Sequence, residues 1–209
     1  MGILTFLRGR TAAIPATILL LVLSGCGTAA VVGAAAVTGH SVVEERTTRD
    51  AMSDAEIRLS LNNKLLSHSS RLFSNVSTEV VEGRVLLTGS VPRREDRIDA
   101  GKLAWEIEGV REVVNEIEVG EDVTASAFLE DVWITSQLRA RLIADRGVNS
   151  VNYNIETVNK TVHLIGLAQS RAELDAVVAL ARKVPGVKKV VSHVLTIDDP
   201  QRGRTAANT

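Results

Sequence analysis

The strongest constraint on the fold of this 209-residue chain is an internal repeat. When the sequence is shifted by 77 positions, residues 54–119 align with residues 131–196 without a gap. A gapless match of this length indicates two duplicated domains, so a fold assigned to one copy must also suit the other. The matched positions lie along the whole unit and include Asp54/Asp131, Ile57/Ile134, Leu61/Leu138, Leu87/Leu164, Gly109/Gly186 and Val114/Val191.

Both copies predict the same order of helices and strands. Apolar residues four apart, at Ile57, Leu61 and Leu65 and at their partners, predict an amphipathic first helix. Two alternating strands then flank a tight turn, at Glu82-Gly83 or Asn159-Lys160, and we expect Lys160 in place of Gly83 to alter that turn. A second helix ends at Gly109 or Gly186, before a third strand.

The order α-β-β-α-β predicts an α+β fold for each copy. Each module is expected to be a small three-stranded mixed sheet packed with two helices on one side. Because a unit of about 66 residues buries little apolar surface, we expect the two modules to pack together.

The N-terminal segment has the pattern of a signal peptide. Arg8 and Arg10 precede an apolar stretch at 11–23, which is too short to span a bilayer. Leu23-Ser24-Gly25-Cys26 resembles a bacterial lipobox, which implies that Cys26 becomes the acylated N-terminus and lipid anchor. The alternatives are a buried Cys26 or a cysteine inside an ordinary cleaved signal. Gly27 follows where an aspartate would suggest inner-membrane retention, so we expect anchoring in the outer membrane, facing the periplasm.

Five segments follow from these patterns. We predict a lipoprotein signal peptide at 1–25, the lipidated cysteine and a flexible tether at 26–52, module 1 at 53–120, module 2 at 129–197 and a disordered tail at 198–209.

The repeated glycine and valine positions resemble the BON domain family. The pattern is carried by Gly83-Arg84-Val85 and by 109–115, with the sequence GVREVVN. With the lipobox and tether, the arrangement resembles dual-BON outer-membrane lipoproteins. That resemblance implies a non-enzymatic protein whose second module binds anionic phospholipid (phosphatidylglycerol or cardiolipin) and which supports envelope integrity at division sites.

The two copies differ most in charge. Residues 54–119 contain 9 Lys/Arg and 12 Asp/Glu, a net charge of −3, whereas residues 131–196 contain 9 and 5, a net charge of +4. A basic module held at a membrane is attracted by its anionic surface, although neutral drift of a solvated surface explains the difference equally well. The whole-chain charge of −1 argues against a nucleic-acid partner.

The first helix of module 2 carries a second apolar face. Trp133 replaces Glu56 of module 1, so this position is not a core position. At 100° per residue, the residues expected on this side, with a neighbouring arginine, are Leu129, Trp133, Ser136, Arg139, Ala140 and Ile143. We predict them to be the phospholipid-binding residues; packing of Trp133 and Ile143 against module 1 is the alternative.

Other aromatic residues and histidines have simpler interpretations. We expect Trp105 to pack between the modules, and Phe73 and Tyr153 to close the hairpins against the helices. His40, His68, His163 and His193 show no metal-ligand spacing, and no catalytic motif is present. The sequence therefore predicts no enzyme, cofactor or metal site. The competing function is a periplasmic adaptor that binds outer-membrane assembly or cell-wall remodelling proteins.

Overall fold

The two repeats fold into two α+β modules with the same order of elements. The computed structural model describes residues 48–120 and 123–202. The predicted signal peptide, Cys26, the tether up to residue 47 and residues 203–209 lie outside the described residues.

Module 1 contains three helices and four strand segments: α1 (Thr48–His68), α2 (Ser70–Asn75), β1 (Val76–Val81), β2 (Arg84–Val91), α3 (Arg94–Trp105), β3 (Glu112–Asn115) and β4 (Glu118–Val119). Module 2 follows the same plan, with a 3-10 turn at Ser150–Asn152 in place of α2: α4 (Ala125–Ala144), β5 (Tyr153–Val158), β6 (Thr161–Ala168), α5 (Arg171–Arg182), β7 (Lys189–Ser192) and β8 (Leu195–Thr196).

Each sheet is mixed, as predicted. Strand β1 pairs antiparallel with β2, and β3 and β4 pair parallel with β2 as two segments of one interrupted third strand. At the interruption the Glu116 amide still donates to the Leu87 carbonyl (2.9 Å), and Ile117 turns into the core. Module 2 is interrupted at the same place, where the His193 amide donates to the Leu164 carbonyl (2.8 Å).

The predicted helix stripes form the cores of the two modules. Ile57, Leu61 and Leu65 are buried against the sheet of module 1, and Ile134, Leu138 and Leu142 are buried against the sheet of module 2. The side chains of a strand alternate between its two faces, so only half of each central strand contributes to these cores.

The opposite faces of the two sheets pack against each other. Their shared apolar cluster consists of Val81 and Leu86 from module 1 and Ile165, Leu167 and Leu195 from module 2, with Val114 at its edge. This confirms the expectation that the modules pack together. Trp105, however, is 49% exposed and belongs to none of the buried clusters of the described residues, so its predicted place between the modules was wrong.

Phe73 and Tyr153, which were both expected to close the hairpins against the helices, differ in burial. Tyr153 is buried in the core of module 2, as expected. Phe73 lies on the short helix α2 and is exposed, so the expectation for it was wrong.

The ordered segments extend beyond the predicted boundaries. Helix α1 begins at Thr48, inside the predicted tether, because each added helical residue contributes a backbone hydrogen bond once the helix has formed. Helix α4 begins at Ala125, where the Thr124 hydroxyl accepts a hydrogen bond from the Ala127 amide (3.3 Å). In the predicted tail, the Arg202 guanidinium binds the Glu82 carboxylate (2.7 Å), so residues 198–202 are ordered against module 1 rather than disordered.

The hairpin turns are held by a buried aspartate from the first helix of each module. Asp54 accepts hydrogen bonds from the Glu82 and Gly83 amides, and Asp131 accepts them from the Asn159 and Lys160 amides, all at 2.8 Å. Both central residues of each turn have positive φ, the conformation of the two-residue turns that suit twisted strands.

Replacement of glycine by lysine leaves the turn geometry nearly unchanged, contrary to expectation. Lys160 has φ 67° and Gly83 has φ 73°. Left-handed backbone is unfavourable for lysine, and the two Asp131 hydrogen bonds offset that cost.

Asp131→Ala should therefore destabilise the protein by about 2–3 kcal/mol, since the charged acceptor of two partly buried hydrogen bonds is lost and Lys160 is left in an unfavourable conformation. Urea unfolding would measure the change. Asp175→Ala is the matched control, because Asp175 is exposed and pairs with Arg171 on the surface (3.2 Å). This variant should cost less than about 0.5 kcal/mol. Equal losses for the two variants would contradict the role assigned to Asp131.

Candidate functional site

Helix α4 presents one face to the module 2 core and the opposite face to solvent. The second face, called the α4 outer face here, consists of the six predicted residues Leu129, Trp133, Ser136, Arg139, Ala140 and Ile143, all of which are exposed. Leu129 is 66%, Trp133 47% and Ile143 75% exposed. The alternative in which Trp133 and Ile143 pack against module 1 was therefore wrong.

Two of the polar residues on the α4 outer face are held by backbone carbonyls. The Ser136 hydroxyl donates to the Val132 carbonyl (2.8 Å), and the Arg139 guanidinium donates to the Ile155 carbonyl (3.4 Å). The Arg139 side chain thus reaches from α4 to strand β5. At a rise of about 1.5 Å per residue, the apolar row from Trp133 to Ile143 is about 15 Å long.

Sequence reasoning missed two apolar members of this surface. Phe128 and Val132 are exposed and extend the α4 outer face toward Arg139. Val132 lies four residues before the predicted member Ser136, and Phe128 lies four residues before Val132, on the same side of the helix. Phe128 was overlooked because it precedes the predicted start of module 2 at residue 129.

A local charge reversal distinguishes the ends of the helices in the two modules. In module 1 the Lys64 ammonium pairs with the Glu106 carboxylate (2.6 Å). The equivalent residues of module 2 are Arg141 and Lys183, and the Arg141 guanidinium donates to the Lys183 carbonyl (3.1 Å). Arg182 precedes Lys183 and occupies the position of Trp105. Module 2 thus concentrates positive charge where module 1 forms an ion pair.

A cleft of about 700 Å³ separates the start of α4 from module 1. Phe128 and Glu156 line it from module 2, and Arg71 and Ser77 line it from module 1. Burial raises the pKa of Glu156, and this effect outweighs the opposing effects of the Ser77 hydrogen bond, Arg139 and Arg58.

The raised pKa predicts that Glu156→Gln stabilises the protein at neutral pH. When a carboxyl has a higher pKa in the folded state than in the unfolded state, its contribution favours folding at low pH and is lost as the pH rises through the folded-state pKa. Glutamine mimics the protonated form at all pH values. The variant should therefore exceed the wild type in unfolding free energy at neutral pH, and the difference should close below the ordinary value of 4.5.

Urea unfolding over a range of pH would measure this difference. Glu79→Gln is the matched control, because Glu79 occupies the same position in module 1 and pairs with Arg58 (2.8 Å). That variant should lose up to about 1 kcal/mol. A Glu156→Gln protein less stable than wild type at every pH would contradict the prediction.

A second group of polar residues lies between the modules. Glu116, His163 and His193 each offer one ligand atom, and these atoms lie within 4.8 Å of one another. The Glu116 carboxylate contacts His193 Nε2 at 3.0 Å. Burial lowers the pKa of His163, and this effect outweighs the opposing effects of Glu116 and Glu118. Sequence reasoning treated these histidines as scattered. The one sequence feature that could have linked two of these residues is that Glu116 and His193 occupy equivalent positions of the repeat.

Among residues 48–120 and 123–202, no helix is both long enough and apolar enough to span a bilayer.

Comparison with known proteins gives consistent matches. The BON domain profile matches residues 53–121 and 130–197. An uncharacterised protein from the gshII 5′ region of Anaplasma centrale is 44% identical over 142 residues, which cover 68% of this chain and 93% of the relative. The outer membrane lipoprotein DolP of Haemophilus influenzae is 32% identical over 178 residues, covering 84% of this chain and 91% of that protein. The 21 kDa hemolysin of Actinobacillus pleuropneumoniae is 32% identical and covers 73% of this chain and 72% of that protein.

Proposed function

Because the chain belongs to the BON domain family, we propose that it is a non-enzymatic outer-membrane lipoprotein whose second module binds anionic phospholipid. In this proposal the acyl chains on Cys26 hold the protein in the outer membrane, facing the periplasm. Module 2 then binds phosphatidylglycerol or cardiolipin through α4. The protein supports envelope integrity and concentrates at division sites.

The location rests on two independent observations. Leu23-Ser24-Gly25-Cys26 has the lipobox pattern after a short apolar stretch, and a relative that matches 84% of this chain is an outer membrane lipoprotein. One fatty chain binds a membrane only marginally, whereas several chains anchor it stably. Acylation of the Cys26 thiol and of the new N-terminus supplies those chains.

Cys26→Ala should therefore release the protein from the membrane fraction. Wild-type cells should incorporate labelled palmitate into the protein, and globomycin should block its processing. Cell fractionation and palmitate labelling would measure both effects. If the membrane fraction contains as much Cys26→Ala protein as wild-type protein, the assignment of Cys26 as the lipid anchor is contradicted.

The lipid-binding assignment is carried by the exposed apolar row on α4. Leu129, Trp133 and Ile143 are all accessible along about 21 Å of helix, although burying them would be favourable by about 25 cal/mol per Å². A tryptophan suits the boundary between headgroups and acyl chains, since its ring is apolar and its N–H requires a polar partner. Helices with an apolar face and basic neighbours bind in that layer.

The charge reversal supports an anionic headgroup as the ligand. Arg141 and Lys183 meet near the C-terminal end of α4, where the equivalent pair of module 1 is neutral overall. Each basic residue close to an anionic leaflet contributes about 1 kcal/mol of attraction. Without a bound anion, the positive charges of Arg141 and Lys183 repel each other, and their proximity does not stabilise the fold.

Trp133→Glu should abolish most binding to vesicles that contain phosphatidylglycerol or cardiolipin. Loss of the apolar ring costs about 2 kcal/mol and the added negative charge about 1 kcal/mol, which together weaken binding by about 100-fold. Flotation with unacylated protein carrying Cys26→Ala would measure this, because acyl chains then cannot hold the protein. Trp105→Glu is the control, since Trp105 is similarly exposed but lies in module 1.

The electrostatic part of the same assay uses Lys183→Glu, which restores the residue found in module 1. Reversing one charge should weaken binding by about 2 kcal/mol, roughly 30-fold at low salt. If both variants float with vesicles as the wild type does, α4 is not the membrane contact. If the wild type does not bind pure lipid at all, the α4 outer face is instead a docking surface for an envelope protein, as an adaptor requires.

A further inference from the structure

We propose that Glu116, His163 and His193 bind a single Zn²⁺ ion between the two modules. The carboxylate comes from module 1 and both imidazoles come from module 2, so the ion would join the two modules directly. The inference is independent of lipid binding, because α4 contributes none of the three residues.

The first observation is the environment of His163. Its side chain is 2% exposed, and neither ring nitrogen has a hydrogen-bond partner among the described residues. Burying a polar group without a partner costs free energy, and such groups are rare in native structures. The Leu86 side chain occupies the equivalent position of module 1 in the shared apolar cluster. Imidazole in place of leucine here is unfavourable unless it binds a ligand.

The second observation is the arrangement of donor atoms around His163. All three candidate ligand atoms lie within 4.8 Å of one another, and the contact between His193 Nε2 and the Glu116 carboxylate is 3.0 Å. A tetrahedral Zn²⁺ ion with bonds of about 2.0–2.1 Å holds its ligand atoms about 3.3 Å apart. Inward movement of the side chains by roughly 1 Å would complete the geometry.

The chemistry of the donor set selects the metal. Two imidazoles and one carboxylate are a known Zn²⁺ ligand set that leaves a fourth position for water. Mg²⁺ and Ca²⁺ prefer ligands that are all oxygen.

A cleft gives the ion a route to the cluster. This second cleft, of about 770 Å³, is lined by Glu116 and His163 and by the basic residues Arg94, Arg97 and Lys189. The basic residues would favour an anionic group or hydroxide at the fourth position. The Glu118 carboxylate at the same cleft accepts a hydrogen bond from the Asn159 side chain (2.6 Å) and adds negative charge near the ion.

Calorimetric titration of the full chain in detergent with Zn²⁺, with Mg²⁺ as the control ion, tests the proposal. The wild type should bind Zn²⁺ saturably at this site and show no saturable response to Mg²⁺. His163→Leu should weaken Zn²⁺ binding by more than about 100-fold, beyond the effect of changing an outer-sphere residue. Glu116→Gln, which keeps the size of the side chain, should weaken it by at least about 10-fold.

His68→Leu is the control variant, because His68 lies on α1 and pairs with Asp99 (3.7 Å). It should bind Zn²⁺ as the wild type does. Leucine fits the apolar face in module 1, so His163→Leu should fold, and in EDTA its unfolding midpoint should equal or exceed that of the wild type. Added Zn²⁺ should raise the melting temperature of the wild type and of His68→Leu only.

Two results would overturn the proposal. One is the absence of saturable Zn²⁺ binding by the wild type. The other is Zn²⁺ binding that His163→Leu and Glu116→Gln both leave unchanged, since other residues would then hold the ion.

Discussion

Each module buries only one face of its sheet beneath its own helices, and the remaining face has to be covered by something else. With about 66 residues, a module is too small to cover both faces of its sheet with helices. The duplication solves this problem because the second copy supplies a complementary apolar face, where Leu86 packs with Ile165 and Leu167. The outer surface of the helices is thereby released from any role in stability, and that is where the α4 outer face lies.

The duplication also explains where the two copies are free to diverge. The Glu116–His193 contact joins equivalent positions of the repeat. Strand β1 contacts β6 and, reciprocally, β2 contacts β5, which is the pattern of an approximate two-fold axis between the modules. Because the two copies are separate segments of one chain, a substitution in one copy changes only one side of such a contact. His163 lies on β6 beside it, where Leu86 lies on β2. The cluster proposed to bind Zn²⁺ therefore arises from two substitutions in one copy, with Glu116 supplied by the other.

The sequence predicted periodic features well and contacts between distant segments poorly. Helix stripes such as Ile134, Leu138 and Leu142 were found because their spacing encodes one buried face. The exposure of Trp133 followed from the presence of Glu56 in the sister copy. The grouping of Glu116, His163 and His193 depends on how the two sheets pack, which no local pattern encodes, and the placement of Trp105 failed for the same reason. The order of residues 198–202 depends on one distant pair, Arg202 and Glu82.

Helix α4 and module 1 lie on opposite sides of the module 2 sheet, and this arrangement determines how far the charge of each module lies from a membrane that α4 contacts. Helix α4 packs on one face of the module 2 sheet, and module 1 packs on the other. When the C-terminal half of α4 faces an anionic leaflet, the sheet of module 2 separates the leaflet from the packed face of module 1. The net charge of −3 on module 1 is then farther from the membrane than the +4 of module 2. Because surface potentials fall off within about 8–10 Å at physiological ionic strength, attraction to the near module outweighs repulsion of the far one. A chain whose total charge is almost zero can thus bind an anionic surface in one orientation.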